Sequence, residues 1–329
     1  MPTLDNIARF KLATLPTPLE ELPRLSKQLG VRLFMKRDDL IGFALGGNKV
    51  RKLEILLADA LAQGAHTLVT GGGPQSNSAR ITAAAACKAG LACTLVLSAS
   101  PPAEVNGNLL LDRLFGAEIK FADPNDRRDL DVMIAETAAS LNASGRRAYV
   151  IPFGGSNVLG CVAYARALSE LVEQTRAAHL TPDAMFVTTG SCGTHAGILA
   201  GLKLCGTSIP VHGVTVKDAA SVCVQRVASL VSATGEFLKH TLSLAPGDTM
   251  VHDGYVGSGY ARTTLGAREA MQMVAQAEGI ILDPVYTGKT MAGLIDLVRR
   301  GEIARGATIV FWHTGGAPGM FGYAKDVIG

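Results

Sequence analysis

The segment VTTGSCGTHAG at residues 187–197 contains a β-prone run, a loop rich in glycine and hydroxyl groups, and the start of a helical pattern. This order predicts a strand, a loop and a helix N-terminus. Free backbone N–H groups at a helix N-terminus can bind a phosphate, and Ser191 and Thr194 would add hydroxyl groups. The spacing is not the dinucleotide fingerprint G-x-G-x-x-G, and the GK[ST] of a P-loop is missing. The segment is therefore either a phosphate loop or a plain strand-to-helix turn that needs small residues.

Strands and helices are predicted to alternate along the rest of the chain. Apolar β-prone runs occupy residues 31–36, 67–70, 94–98, 118–121, 149–153, 185–189, 211–216 and 308–312, with helical patterns between them, for example at 129–140 and 267–277. Val50, Leu53, Leu57 and Leu61 recur at helical spacing, and Gly64 ends that helix. Such alternation is typical of an α/β protein whose open, mostly parallel sheets carry helices on both faces.

The predicted strands fall into two sets, which indicates two α/β domains. A chain of 329 residues is long enough for both. We expect a larger domain formed by residues 1–50 plus 165–329, and a smaller α/β domain formed by residues 51–164. Two such domains leave a cleft at the carboxyl ends of their strands, where ligands usually bind. The active site is expected in this cleft.

Composition and charge argue against several classes of protein. Hydrophobic residues make up 48% of the chain, so a wholly disordered protein is excluded. The net charge is only +3 and the cations are scattered, which argues against a nucleic-acid partner. No stretch has the roughly 20 mainly apolar residues of a membrane span, and no signal peptide is recognisable, so we expect a cytoplasmic protein. The cysteines form no C-x-x-C pair and the histidines are dispersed, so no metal site is expected.

Three further loops precede predicted helices, and each has two interpretations. GGNK at residues 46–49 puts Lys49 in a first helical turn, where a cation opposes the helix dipole. Lys49 either takes part in catalysis, as a Schiff base or a proton shuttle, or is a solvated surface lysine. Residues 74–78, PQSNS, either cap a helix or form a carboxylate cradle. Tyr286, in DPVYTGK, either packs in the core or flanks a planar cofactor with its hydroxyl available for proton transfer.

Taken together, six segments resemble one family of pyridoxal-phosphate enzymes. They are KRDD (36–39), GGNKVRKLE (46–54), QSN (75–77), GSCGTHAG (190–197), LDPVYTGK (282–289) and HTGGAP (313–318). The family includes D-cysteine desulfhydrase and 1-aminocyclopropane-1-carboxylate deaminase, and it has the two-domain tryptophan synthase β-like fold, also called fold type II. The resemblance extends from about Pro16 to Tyr323. Each motif is weak alone, but six in the same order are specific.

The resemblance implies a pyridoxal 5'-phosphate cofactor, bound by the larger domain, and a role for each matching residue. Lys49 matches the lysine that holds the cofactor covalently, and Asn77 matches the residue that hydrogen-bonds its ring hydroxyl. Tyr286 matches the tyrosine beside cofactor and substrate, and Tyr260, in YVGSGY, matches a second active-site tyrosine. The phosphate loop corresponds to Gly190, Ser191, Cys192, Gly193 and Thr194. The loop that receives the substrate carboxylate corresponds to Gln75, Ser76, Asn77 and Ser78. The expected catalytic residues are Lys49, Ser76, Tyr260 and Tyr286.

Two positions depart from the pattern of the deaminases. Their glutamate after the tyrosine of DPVY would lie near the pyridine nitrogen, but this chain has Thr287 there. Only the hydroxyl groups of Thr287 or Thr314 are available to face that nitrogen, and this pair resembles the desulfhydrase branch. The second departure is Ser78, which replaces the histidine that many members carry after QSN. Ser78 lies on the predicted carboxylate loop and therefore bears on the choice of substrate.

The resemblance predicts α,β-elimination on a small amino acid, with D-cysteine converted to pyruvate, hydrogen sulfide and ammonia. Alternatives within the class are a sulfo-lyase acting on cysteate and a deaminase of 1-aminocyclopropane-1-carboxylate, against which Thr287 counts. A non-catalytic ligand-binding homologue is an alternative of another class. A nicotinamide-dependent oxidoreductase is a further alternative, which the missing dinucleotide fingerprint makes improbable. We expect the protein to be a homodimer. We expect it to bind a small amino-acid substrate, and no nucleic acid or membrane.

Overall fold

The computed structural model describes residues 4–122 and 129–328, which form two parallel-stranded sheets. In chain order, the strands are β1 (Leu19–Glu21), β2 (Arg32–Arg37), β3 (Thr67–Gly72), β4 (Ala92–Ser98), β5 (Glu118–Ala122), β6 (Ala148–Val150), β7 (Ala184–Thr189), β8 (Val211–Thr215), β9 (Met250–His252) and β10 (Thr308–His313). The six-stranded sheet has the order β1-β2-β10-β7-β8-β9, and the four-stranded sheet has the order β5-β4-β3-β6. All strand pairs are parallel except β1 with β2, which is antiparallel.

Helices pack around both sheets. They are α1 (Pro23–Leu29), α2 (Lys49–Ala62), α3 (Asn77–Ala89), α4 (Gly107–Leu114), α5 (Leu130–Ala143), α6 (Val158–Ala177), α7 (Gly193–Leu204), α8 (Ala220–Leu238), α9 (Leu265–Glu278), α10 (Thr287–Arg299), α11 (Ala317–Met320) and α12 (Ala324–Ile328). On β10, Ile309 and Phe311 belong to one buried core, whereas Val310 and Trp312 belong to the core on the opposite face. Because helices cover both faces, β10 is apolar at consecutive positions instead of alternate ones. In the part of the chain that the structure describes, no helix is long and apolar enough to span a membrane.

The predicted α/β fold class is confirmed, and every predicted strand has a counterpart in the two sheets. The run predicted at residues 149–153 is shorter, because the strand ends at Val150 and a tight turn, Phe153–Gly155, follows with Gly154 at φ +67°. The strands Leu19–Glu21 and Met250–His252 were not predicted, since three residues carry too little of a pattern. The predicted domain boundaries, after residues 50 and 164, fall within α2 and α6. The two-domain division remains a prediction.

A buried carboxylate joins the six-stranded sheet to two helices. Asp38, directly after β2, accepts hydrogen bonds from the Arg51 guanidinium (Nη2 to Oδ1, 2.8 Å), the Tyr164 hydroxyl (2.6 Å), the Trp312 indole (2.9 Å) and the Thr17 hydroxyl (3.0 Å). Burial alone would raise the pKa of Asp38, but the charge of Arg51 and these hydrogen bonds hold the pKa below its usual value. Asp38 is therefore a charged group that connects α2, α6 and β10.

We expect Asp38→Ala to destabilise the protein by about 3–5 kcal/mol, because the substitution leaves the buried Arg51 with weaker compensation. Urea unfolding followed by far-ultraviolet circular dichroism would measure the loss. Since the folded-state pKa of Asp38 is lowered, its contribution is full above the unfolded pKa of about 3.9 and declines as pH falls through the folded pKa.

The matched control is Glu21→Ala, which also removes a carboxylate from an arginine pair. Glu21 bonds Arg32 at 2.9 Å, but both side chains are exposed. Its loss should cost about 0–1 kcal/mol. An equal loss in the free energy of unfolding for the two substitutions would contradict the structural role of Asp38.

Candidate active site

One cavity lies where the carboxyl ends of the strands meet the N-termini of α2, α3, α7 and α10. Its empty volume is about 670 Å³, which falls in the range of small-molecule sites. The lining residues are Asn48, Lys49, Ser76, Asn77, Ser78, Phe153, Gly154, Thr188, Gly190, Ser191, Cys192, Thr194, Lys217, Tyr260, Tyr286 and Thr314. Most of the residues that the sequence singled out are thus brought to a single place, from elements far apart in the chain.

Three of the sequence-predicted residues do not line this cavity. The Gln75 carboxamide is turned towards α4, where its Oε1 accepts from the Asn108 backbone N–H at 2.8 Å. Gly193 lies just behind the wall, with its N–H donating to the Ser156 hydroxyl at 3.2 Å. The Thr287 hydroxyl donates to the buried carboxylate of Asp283 at 2.7 Å. Of the two threonines proposed to face a pyridine nitrogen, Thr314 is the one that lines the cavity.

The Lys49 amine points into the cavity and has an altered acidity. Its Nζ donates to the carbonyl of Gly154 at 2.9 Å. Burial, together with the nearby charge of Lys52, lowers the pKa of Lys49 well below its usual value. A lysine with a lowered pKa is more often neutral, and the neutral amine is the form that acts as a nucleophile or a base.

The loop before Lys49 has an unusual backbone that fixes the start of α2. Ala44, Leu45, Gly46 and Gly47 all have positive φ, from 45° to 113°. A Cβ atom on Gly46 would come within 2.0 Å of the Asp39 carbonyl oxygen, so only glycine fits there. The fully buried guanidinium of Arg80 donates to the carbonyls of Ala44 and Gly46. The loop, and with it the position of Lys49, is therefore held from inside the protein.

A second lysine, Lys52, was not identified from the sequence. It is fully buried one turn after Lys49, and its Nζ lies 3.1 Å from the Gly154 carbonyl and 3.3 Å from the Ser156 hydroxyl. Burial lowers the pKa of Lys52 to about 8. The Ser156 hydroxyl in turn donates to Ser191 at 2.7 Å. A buried cation, hydroxyl groups and the N-terminus of α7 thus converge at one end of the cavity.

This end of the cavity is built for an anion. Among the described residues that line it there is no Asp or Glu, so neither lysine has a carboxylate partner there. The buried cation of Lys52, without a carboxylate partner and beside a helix N-terminus, favours a phosphate group. The side chain of Asn48 donates to the Thr194 hydroxyl at 3.0 Å and so ties α2 to this loop. Of the two interpretations of residues 187–197, the geometry favours the phosphate loop.

Two tyrosines also line the cavity. The hydroxyl groups of Tyr260 and Tyr286 are hydrogen-bonded to each other. Burial raises the pKa of Tyr286 well above its usual value, and the neighbouring Tyr260 adds to the increase. The buried Lys289 does not line the cavity, because its Nζ donates to the carbonyls of Val256 (2.7 Å) and Gly259 (3.2 Å). Lys289 thus anchors the loop that carries Tyr260.

Asp283 organises the backbone beside Tyr286. Its carboxylate accepts the backbone N–H groups of Val285, Tyr286 and Thr287 at 2.8–3.0 Å, which completes the hydrogen bonds at the start of α10. Burial raises the pKa of Asp283, and these hydrogen bonds oppose the increase. The DPVYTG motif is therefore a helix N-terminus held by its own aspartate, with the Tyr286 ring turned to the cavity.

Comparison with known proteins defines the class. The family model described as "Pyridoxal-phosphate dependent enzyme" matches residues 10–315, so the chain belongs to this family and its cofactor is pyridoxal phosphate. A relative, the D-cysteine desulfhydrase of Klebsiella pneumoniae (strain 342), is 43% identical over an alignment of 331 positions that covers 98% of each chain. The branch of the family and the cofactor predicted from the sequence are both confirmed.

Solved structures agree with this assignment. The crystal structure of an ACC deaminase homologue is 37% identical, has a TM-score of 0.91, and matches 99% of this chain and 97% of its own. A fungal L-serine ammonia-lyase from Rhizomucor miehei is 18% identical with a TM-score of 0.66, over 97% of this chain and 100% of its own. The second similarity shows a shared fold.

The cavity fits pyridoxal phosphate on two observations. The anion-binding end, with Lys52 and the N-terminus of α7, suits the phosphate. The Lys49 amine lies beside it, at the carbonyl of Gly154 that Lys52 also contacts. A third observation bears on the substrate: the hydroxyl of Ser78, which also lines the cavity, is buried and has no hydrogen-bond partner among the described residues. A buried polar atom without a partner is costly, so a ligand group is expected to satisfy it.

We expect Gly193→Ala to weaken pyridoxal phosphate binding about tenfold or more, which corresponds to at least 1.4 kcal/mol. An added Cβ would lie 2.5 Å from the Ser156 hydroxyl and 3.0 Å from the Lys52 amine, so it displaces both groups. Titration of the apoenzyme with cofactor, followed by visible absorption, would measure the affinity. The control is Gly254→Ala, where an added Cβ meets no atom within 4 Å. Unchanged affinity in Gly193→Ala would exclude this loop as the phosphate site.

Proposed function

We propose that this enzyme carries out α,β-elimination on D-cysteine and releases pyruvate, hydrogen sulfide and ammonia. One observation above all supports the reaction type: the cavity pairs the Lys49 amine, with its lowered pKa, with a wall that offers the hydroxyl of Thr314 and, among the described residues, no carboxylate. The substrate is suggested by the relative named D-cysteine desulfhydrase, which is 43% identical over nearly the whole length.

The absence of a carboxylate from the described lining bears on the choice of reaction. A carboxylate beside the pyridine nitrogen would keep that nitrogen charged, whereas a hydroxyl does not impose a charge. The electron sink is then weaker. A weaker sink suffices when a good leaving group on Cβ departs and removes the carbanion's charge at once. Opening an unactivated cyclopropane ring is a harder task, so the composition of this wall favours elimination over the deaminase reaction.

The cofactor would be held by residues already described. Lys49 would bind it covalently, and Asn77 would donate to its ring hydroxyl. Its phosphate would lie against Lys52 and the loop formed by Gly190, Ser191, Cys192, Gly193 and Thr194. The Thr314 hydroxyl would face the pyridine nitrogen, because the Thr287 hydroxyl is already donated to Asp283. When bound, pyridoxal phosphate supplies an electron sink for the charge left on the substrate Cα.

The side chains of this protein then have separate tasks. The Ser76 and Ser78 hydroxyl groups and the backbone N–H groups at the start of α3 would hold the substrate carboxylate. The Ser76 oxygen already accepts from the Ala79 N–H at 3.2 Å, so its proton remains available to a ligand. The Lys49 amine would accept the Cα proton. The hydroxyls of Tyr260 and Tyr286 would face Cβ and supply a proton to the departing thiolate, which leaves as hydrogen sulfide. The resulting aminoacrylate hydrolyses to pyruvate and ammonia.

We further propose that the protein is a cytoplasmic homodimer of two-domain subunits and that it does not bind nucleic acid. The resemblance to the desulfhydrase family supports the dimer, and the scattered charges at a net +3 support the absence of a nucleic-acid partner. Size-exclusion chromatography with light scattering would test the dimer, which a monomeric mass would contradict.

We expect borohydride reduction of the loaded enzyme to fix the cofactor on the peptide that contains Lys49. Mass spectrometry of a digest would identify the peptide, and labelling of Lys289 instead would overturn the assignment. Lys49→Ala should lose both turnover and the visible absorption band, because the covalent attachment and the proton acceptor disappear together. The control, Lys203→Ala, removes an exposed lysine that pairs with Asp248 and should leave both properties unchanged.

We expect pyruvate from D-cysteine, and little 2-oxobutyrate from 1-aminocyclopropane-1-carboxylate. The screen would include L-cysteine, cysteate, β-chloroalanine and serine, with a coupled dehydrogenase assay for the 2-oxo acids and Lys49→Ala as the blank. Pyruvate from cysteate but not from D-cysteine would point to the sulfo-lyase. Efficient 2-oxobutyrate formation with no elimination on any of these amino acids would overturn the proposal. No product from any substrate by the loaded enzyme would favour a ligand-binding homologue.

A further inference from the structure

We propose that Asn108, a residue outside the cavity lining, determines which end of the Asn77 amide faces the cofactor. This inference rests on the proposed function, because it concerns how the proposed cofactor contact is positioned. Asn108 is fully buried in the first turn of α4, and its side-chain Nδ2 donates to two oxygens: the backbone carbonyl of Gln75 at 2.8 Å and Oδ1 of Asn77 at 2.9 Å.

The orientation of both amides follows from one backbone atom. The carbonyl oxygen of Gln75 can only accept a hydrogen bond, so the Asn108 atom beside it must be the NH₂ group. That NH₂ group has two protons, and the second one lies against Asn77. The Asn77 atom that meets it must therefore be the oxygen. The NH₂ group of Asn77 is left for the cavity, which Asn77 lines.

The surroundings hold Asn108 in this orientation. Its backbone N–H donates to the Gln75 Oε1 at 2.8 Å, and the Gln75 Nε2 donates to the Asn106 side chain at 3.0 Å. The approach requires Gly107, whose φ is +54° and where an added Cβ would lie 2.3 Å from the Gln75 side chain. The Asn108 Oδ1 is buried and has no hydrogen-bond partner in the described part of the chain. That unpartnered oxygen is a cost, offset because the NH₂ group makes both of its hydrogen bonds.

The consequence is electrostatic. An NH₂ group from Asn77 stabilises a negative charge on the ring oxygen of the cofactor. That charge is largest when the nitrogen joining the cofactor to Lys49 has lost its proton, so the donor lowers the pKa of this nitrogen. If Asn77 turned its oxygen inwards, the pKa would rise. Asn108 is thus a positioning residue, which acts on the cofactor through Asn77.

The test uses the visible absorption of the loaded enzyme as a function of pH. Asn108→Asp replaces the NH₂ group by an oxygen that repels both acceptors, and we expect the spectral pKa to rise by about one unit, the size of one hydrogen bond to a charged group. Asn77→Ala should produce a rise of its own. Because an aspartate also acts through its charge, the double-mutant test uses the uncharged Asn108→Ala, which should add almost nothing to the spectral pKa in the Asn77→Ala background.

The matched control is Asn142→Asp, the same change on α5, where Oδ1 accepts from the Ala148 N–H at 2.8 Å and an aspartate oxygen can do the same. Its spectral pKa should equal that of the unmodified enzyme. If Asn108→Asp fails to fold, Asn108→Ala is used alone, because it frees the Asn77 side chain to turn. The rise that it causes in the spectral pKa of the loaded enzyme must vanish in the Asn77→Ala background.

Two results would overturn the inference while leaving the proposed function intact. One is an unchanged spectral pKa in both Asn108 variants at full cofactor occupancy. The other is a rise in the spectral pKa on Asn108→Ala that is as large in the Asn77→Ala background as in the unmodified enzyme. Such a rise would show that Asn108 does not act through Asn77. If the unmodified enzyme binds the cofactor but lacks the visible absorption band of a cofactor attached to Lys49, the proposed function is refuted, and this inference with it.

Discussion

The carboxylate of Asp38 is the group on which the geometry of the site depends. It is fully buried, and it receives hydrogen bonds from Arg51 on α2, Tyr164 on α6 and Trp312 on β10. A buried ion pair contributes little net stability when compared with apolar packing, but its partners can satisfy it in only one arrangement. Arg51 lies two residues after Lys49, so the pair that fixes the start of α2 also fixes the direction of the Lys49 side chain.

A second buried set of charges extends this arrangement. The Lys36 amine contacts Glu170 at 2.5 Å and the Thr17 carbonyl at 2.7 Å, and Glu170 also accepts from Arg51 at 2.9 Å. Burial would raise the pKa of Glu170, but Arg51 and Lys36 lower it below its usual value. The KRDD motif is therefore structural, since its charges are neutralised away from the cavity. Lys49 and Lys52, by contrast, have no carboxylate partner among the described residues that line the cavity.

The sequence predicted the fold because helices on both faces of a sheet leave continuous apolar runs, such as residues 309–312. It predicted Lys49 and Tyr286 because family motifs mark them. It missed Lys52, since a lysine three positions after another on a helix is usually solvated. The packing of α6 and of the turn Phe153–Gly155 against α2 buries it. The QSN motif assigned Gln75 to the substrate loop, whereas the Gln75 side chain accepts a hydrogen bond from the backbone of Asn108, 33 positions away. Contacts at that separation have no signal in one sequence.

The acidity of Lys49 depends on its buried neighbour, Lys52. Each is buried, and the charge of Lys52 lowers the pKa of Lys49 further. A phosphate beside Lys52 would stabilise the protonated form of that lysine, because a nearby anion favours a cation. A phosphate would therefore act on the site through Lys52, and the charge of Lys52 in turn keeps the pKa of Lys49 low.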